Sequence, residues 1–204
     1  MAVSDPTTAP PVRRPRGTMS KRVIMDISAA MFHQRGYDRT SLEDIAAALQ
    51  VTKPSLYYHF KNKQEILLAC VTAAYDHFSD EILSRDQPSH NGRERIETFL
   101  RLYLDVISND LGANLVVADD RVMTEAGRAQ VRRLRRIMND DFEARLQRAI
   151  DDGSIVASET RLTAAAIFGM FNWLGQWHLR RPTLASDEIY TQFTRLIFDG
   201  LLPR

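Results

Sequence analysis

The chain contains a single cysteine, Cys70, among its 204 residues. No disulfide can close within it, which points to a reducing, cytoplasmic setting. Cys70 lies in an apolar helical stretch and reads as a small core residue rather than a redox sensor. A long hydrophobic run is also missing. The most apolar segment, Leu162 to Leu179, is interrupted by Asn172, Gln176 and His178, so it reads as a buried helix and not as a membrane span. Met1 to Gly17 lacks the apolar stretch of a secretory signal. Three signatures of catalysis are absent: a glycine-rich phosphate loop, a Cys/His cluster and a nucleophile elbow. His77 and Glu81, with Asp76 and Asp80, could place two metal ligands on one helix face. Two are a weak signal, and a solvated surface is the simpler reading. No cofactor or metal is expected, and the chain is not read as an enzyme.

A strong net charge is missing too: the total is only +1. The charge is nevertheless unevenly placed. Residues 1–63 carry ten Lys/Arg and five Asp/Glu, a net of +5, which leaves −4 for the remainder. A basic head on an acidic body suits a chain that presents one end to a polyanion.

What is present is helical periodicity throughout, with no alternating strand pattern and no internal repeat. From Lys21 to Arg35, Ile24, Ile27 and Met31 recur at helical spacing, with Val23 and Ala30 beside them. Gly36 stops that helix. Thr40 followed by Glu43 has the form of a capping box for a second helix, Ser41 to about Leu49, which turns Leu42, Ile45 and Ala46 inward. Thr52 is a good N-cap for a third helix, and Pro54 is tolerated in its first turn. Leu56 and Phe60 share the buried face of that helix. Pro54, Ser55 and Tyr58 point the other way, with Lys53, Tyr57 and His59 on the flanks. A short helix with a polar, aromatic and basic outer face is what a DNA major groove accepts.

These residues resemble the TetR family of bacterial transcription regulators. The resemblance is carried by Phe32, Arg35-Gly36-Tyr37, Thr40-Ser41-Leu42-Glu43-Asp44-Ile45-Ala46, Val51-Thr52, Leu56-Tyr57, His59-Phe60 and Lys63. Two positions depart from it: Gln50, where the family usually has Gly, implies a less favourable turn geometry or a different turn, and Pro54 stands where a small residue is common. The resemblance implies an all-α protein with an amino-terminal three-helix helix-turn-helix domain joined to a helical ligand-binding and dimerisation domain. It implies base-facing roles for Lys53, Pro54, Ser55 and Tyr58. Contacts to the phosphates of double-stranded DNA would fall to Thr52, Tyr57, His59 and Lys63, with Thr40 added to the DNA-binding set. Tyr57 also fits a packing role and His59 a local backbone cap.

The expected organisation is a flexible basic tail over residues 1–18, the DNA-binding domain over 19–63, and an effector-binding and dimerisation domain over 64–204. In the tail, Pro6, Pro10, Pro11 and Pro15 discourage helix, and Arg13, Arg14 and Arg16 could lie on DNA or simply add nonspecific attraction. Beyond Lys63 the periodicity predicts a helix to about Leu83, a loop from Ser84 to Gly92, and a helix from Arg93 to Asn109. A short apolar piece, Leu115 to Ala118, follows. Further helices are expected over Glu125 to about Asp152, Glu159 to Arg181, and from a Ser186 cap onward. The resemblance implies that the last two pair with those of a second subunit, giving a homodimer. Ala164, Ala165, Ala166, Gly169 and Gly175 would allow close helix approach. Dimerisation would set two recognition helices about 34–36 Å apart, in successive major grooves.

An effector in the body is implied as well, and for most relatives the effector releases DNA, so a repressor is expected. Candidate contacts are Tyr103, Ile107, Leu115, Met138, Phe142, Phe171, Trp173 and Trp177, with Asn172 and His178 as polar partners. The stretch Gly169-Met170-Phe171-Asn172-Trp173, with Trp177, resembles relatives that govern lipid, acyl-CoA or aromatic-acid catabolism. Arg128, Arg132, Arg135 and Arg136 share a helix face that could meet the phosphates of an acyl-CoA, or merely be solvated. The competing reading is an all-α small-molecule-binding protein or enzyme that does not bind DNA.

Overall fold

The computed structural model describes residues 20–87, 89–117, 122–178 and 185–200. The tail expected over 1–18 lies outside the described residues, as do the side chains of Leu115, Trp177 and His178. Among the described residues there are nine α-helices and no strand.

The head consists of α1 (Lys21–Arg35), α2 (Leu42–Ala48) and α3 (Lys53–Tyr57). Ser20 caps α1 by accepting from the Val23 N–H, and Gly36 ends it at φ +89° with its N–H on the Phe32 carbonyl. Ile24, Met31 and Phe32 turn inward as the spacing requires, whereas Val23 is 46% exposed. The cap of α2 differs from expectation. The capping box is made by Ser41 and Asp44, one residue further along than the Thr40–Glu43 pair. Ser41 Oγ accepts from the Asp44 N–H, and Asp44 accepts from the Ser41 N–H at 2.8 Å. The Ser41 hydroxyl bond and backbone bond also hold the Asp44 carboxyl below the usual carboxylate range. Thr40 is thereby rotated inward.

The body begins with α4 (Lys63–Arg85), capped by Asn62, whose side chain accepts from the Glu65 N–H. At 23 residues and ~1.5 Å rise per residue, α4 is about 34 Å long. It packs against α1, α5, α6 and α7 and so ties head to body. Next come α5 (Gly92–Ile107), α6 (Asp110–Val117) and α7 (Glu125–Asp151). The apolar piece expected at Leu115 thus belongs to a helix that starts earlier, at Asp110, with the Asn109 side chain accepting from the Gly112 N–H. α8 (Thr160–His178) and α9 (Ser186–Asp199) complete the body. Ser186 does not cap α9: Ala185 holds that position, and no side chain supplies a capping bond.

The core of the body is aromatic. Phe78, Phe99, Tyr103, Phe142, Phe168 and Phe171 are all buried, with successive ring centroids 4.6–6.3 Å apart. Such edge-on and offset pairs add to the area term. At the far end from the head, α5 and α7 nearly touch. A Cβ on Gly92 would stand 2.3 Å from the Ala149 Cα, so only glycine permits that crossing. Arg145, 6% exposed, lies nearby and pairs with Asp141 at 2.8 Å and with Asp86, which also pairs with Arg95. A buried guanidinium needs partners of this kind to offset its lost hydration.

Candidate nucleic-acid interface

The turn between α2 and α3 is built by backbone bonds alone. The Gln50 N–H donates to the Ala47 carbonyl at 3.0 Å, and the Val51 N–H donates to the Ala46 carbonyl at 2.9 Å. Together they form the double-bonded helix end that needs a left-handed residue between them. That residue is Gln50, at φ +56°. Val51 then packs on the core, and α3 starts at Lys53. α3 has five residues. Leu56 (0% exposed) and Phe60 (6%) hold it from behind; burying each contributes roughly 1.5–3 kcal/mol.

The outer side of α3 is open. Tyr58 is 88% exposed and Tyr57 48%; Thr52 and Pro54 are exposed, with Ser55 and His59 half-buried. Tyr58 and His59 meet edge to face at 5.1 Å. Thr52 holds the N-cap position but makes no capping bond to the backbone; its hydroxyl lies 2.9 Å from that of Ser55. Lys53 pairs with Glu43 of α2, and its ammonium lies 5.9 Å from the Tyr57 ring centre. Hydrogen bonding between that pair holds the Glu43 carboxyl low and raises the Lys53 ammonium. The pair is exposed, so opening it costs little.

Two residues expected at the DNA are turned to the protein instead. Thr40 is 1% exposed, and its hydroxyl donates to the Gly36 carbonyl at 3.0 Å and lies 3.4 Å from the Met31 carbonyl. As the shifted capping box seals it inside the α1–α2 turn, its side chain cannot reach a phosphate. Lys63 donates to the carbonyls of Tyr37 and Thr40, both at 2.7 Å, and its ammonium sits 4.0 Å from the Tyr37 ring centre. Desolvation lowers its pKa, while burial raises the Tyr37 phenol to about 12. Lys63 thus ties the first turn of α4 to the α1–α2 connection. Nothing local in the sequence signals this bond, since its partners lie 23 and 26 residues away.

In the body, the expected effector residues separate. Tyr103, Ile107, Met138, Phe142 and Phe171 are buried. The Tyr103 hydroxyl donates to Asn172 Oδ1, a polar pair at the edge of the aromatic core. Trp173 goes elsewhere: it is 62% exposed, because Phe171 and Leu174 take the inward directions on α8 and leave residue 173 facing out. Leu115, Trp177 and His178 have no described side chains. Of the arginine stripe, Arg128 and Arg132 both pair with Glu125, at 2.7 and 2.8 Å. Among the described residues no helix is long and apolar enough to cross a membrane, and no three His, Cys, Asp or Glu side chains are grouped to hold a metal. His77 and Glu81 diverge: His77 faces a cleft beside α1, and Glu81 pairs with Arg85.

Comparison with known proteins adds the family. Residues 24–70 match the model for bacterial regulatory proteins of the tetR family, and residues 89–201 match a tetracyclin repressor-like C-terminal domain. The biofilm operon icaADBC HTH-type negative transcriptional regulator IcaR of Staphylococcus epidermidis is 35% identical over 71 residues, which is 35% of this chain and 38% of that protein. Its counterpart in Staphylococcus aureus (strain Newman) is 34% identical over 80 residues, 39% of this chain and 43% of that protein. The match therefore spans about two-fifths of these curated relatives' length. Among solved structures, AibR in complex with isovaleryl coenzyme A and operator DNA superposes with a TM-score of 0.78 at 26% identity, over 89% of this chain and 99% of that chain. PfmR from Thermus thermophilus has the same fold, with a TM-score of 0.78 at 23% identity over 88% and 99% of the two chains. Both halves of the chain thus lead to one conclusion: it is a transcriptional regulator of the TetR family.

Proposed function

We propose that the chain acts in the cytoplasm as a homodimeric repressor that binds a near-palindromic operator through α3 and leaves it when a small, largely apolar effector enters the body. The observation that carries the DNA reading is the outward face of α3, where Tyr58 is 88% exposed while Leu56 and Phe60 anchor the helix from behind. Lys53, Pro54, Ser55 and Tyr58 form the base-facing set, and Thr52, Tyr57 and His59 the phosphate set. The domain limits that follow are 19–63 for the head and 64–204 for the body.

The dimer reading is supported by α8. Leu162 (71% exposed) and Trp173 (62%) lie on one stripe with the exposed Ala165, Ala166 and Gly169. A Cβ on Gly169 would meet nothing within 4 Å, so a partner helix could approach closely. The effector reading is supported by the aromatic core of the body with the Tyr103–Asn172 polar pair at its edge, and by the likeness to AibR, whose structure was solved with isovaleryl coenzyme A. Fatty acyl-CoAs are the class favoured, with aromatic acids the second.

Gel shifts on the chain's own upstream region test the reading. Affinity should fall steeply with salt as counterions are released. Lys53→Ala and Tyr58→Ala should each alter base preference, by roughly 1–3 kcal/mol at the affected position. Trp173→Glu should give monomers in sedimentation, with weakened operator binding. No shift at low salt would retire the DNA reading. Calorimetric titration with acyl-CoAs and free acids tests the effector; no heat and no release of DNA with any of them would exclude that class.

A further inference from the structure

Where α1 passes α4 and the corner between α5 and α6, the helices leave a half-open cleft of about 400 Å³. Small-molecule sites typically span roughly 300–1,000 Å³. None of the residues expected to touch the effector lines it. Its floor is apolar: Ala73 and Ala74 of α4, with Val106 and Leu111. Its rim carries both signs, with Arg22 and Asp26 from α1, His77 from α4 and Asp110 from α6.

We propose that this cleft is a second small-molecule site, for a small zwitterion with an apolar side chain, of the α-amino acid class. An anion alone would face the carboxylates of Asp26 and Asp110. A cation alone would face the Arg22 guanidinium. A wholly apolar molecule would strip water from the Arg22–Asp26 and His33–Asp110 pairs and give them no new contact in exchange, which is unfavourable. A metal ion lacks its ligands, since no three suitable side chains are grouped among the described residues. A zwitterion satisfies all parts together. Its ammonium meets Asp26 and Asp110, its carboxylate meets Arg22 and His77, and its side chain lies on Ala73, Ala74 and Val106. Arg22 and Asp26 already pair with each other at 3.0 Å, but an exposed pair one helical turn apart is weak and readily exchanged.

The site would act on DNA binding through its walls. One wall belongs to α1 in the head and the facing one to α6 in the body. Asp110 also holds His33, in the last turn of α1, at 2.8 Å. A ligand that bridges both walls favours the head–body arrangement that spaces them for it. Its affinity and the affinity for DNA then change by the same factor.

Calorimetric titration of the full chain tests this, with L-valine, L-leucine and L-phenylalanine as probes, and with 3-methylbutylamine and 4-methylpentanoate as single-charge analogues of leucine. At least one amino acid should bind saturably, one per chain. Both leucine analogues should bind about tenfold more weakly or not at all, a factor that corresponds to one missing charged contact. Asp26→Asn, an exposed change that does not threaten folding, should weaken amino-acid binding by a similar factor. Ala73→Leu, which fills the floor, should abolish it while circular dichroism stays unchanged. No saturable heat with any of the three amino acids overturns the proposal. So does an analogue that binds as tightly as leucine, or unchanged affinity in both variants. The titrations contain no DNA, so their failure leaves the operator reading standing, and the converse also holds.

Discussion

The left-handed residue between α2 and α3 makes the sharpest prediction. Gln50 adopts φ +56° because the Gln50 and Val51 N–H groups must both reach back to α2. For a residue with a Cβ, that conformation costs roughly 1–2 kcal/mol. Glycine removes the cost but gains freedom in the unfolded chain, which returns about 0.4–1 kcal/mol. The Gln50 side chain is exposed, so little else is lost. Gln50→Gly should therefore stabilise the protein by about 0.5–1 kcal/mol. For a chain of this size that is about 1–4 °C in Tm. Gln50→Val should move the other way by at least as much, since a branched Cβ tolerates positive φ poorly. Urea and thermal unfolding at one fixed chain concentration measure both, the concentration being fixed because any self-association would make stability depend on it. If Gln50→Gly lowers the midpoint, or Gln50→Val leaves it unchanged, the strain assigned to this turn is not there.

Three further outcomes are expected. Lys63→Met removes two charge-assisted bonds to backbone carbonyls and should cost about 2–3 kcal/mol in urea unfolding. Its operator salt slope should stay the same, whereas loss of one phosphate contact would reduce that slope by about 0.9; a lower slope with unchanged stability would return Lys63 to the DNA. Gly92→Ala drives a methyl into Ala149 and should destabilise by about 1–3 kcal/mol, with hydrogen exchange rising first around the start of α5; wild-type stability would refute the tight crossing. Hydrogen bonding to Ser41 and Ser154 depresses the folded-state pKa values of Asp44 and Asp152. Their contribution is therefore complete above the ordinary carboxylate range and lost as pH falls through the depressed values. The double variant Asp44→Asn, Asp152→Asn should flatten the acid limb of a stability–pH curve, and an unaltered limb would show that other carboxylates dominate it.

Much of this was legible in the residues, and for a definable reason. Ile24, Met31, Leu56 and Phe60 recur at the helical period because each faces one shared core, so local pattern and burial coincide. The strained turn was visible as Gln50 in a glycine-preferring place. The failures arise where partners are remote or where neighbours compete. Ser41 and Thr40 both suit a cap, and only the packed α1–α2 turn decides that Ser41 takes it. Lys63 looks free in a string of letters, yet its partners are carbonyls more than twenty residues away. Trp173 reads as a pocket residue by composition, but helix geometry gives the inward directions to Phe171 and Leu174. The cleft beside His77 needs three separate segments to exist at all, and no single stretch encodes it.

The side chains that aim α3 and those that it displays are two disjoint sets. Val51, Leu56 and Phe60 fix where the helix points, and none of them is on the outside. On the DNA reading proposed above, residues 54 and 58 form an exchangeable cassette: drift at a few solvent positions would shift target preference while the buried anchors keep the helix aimed.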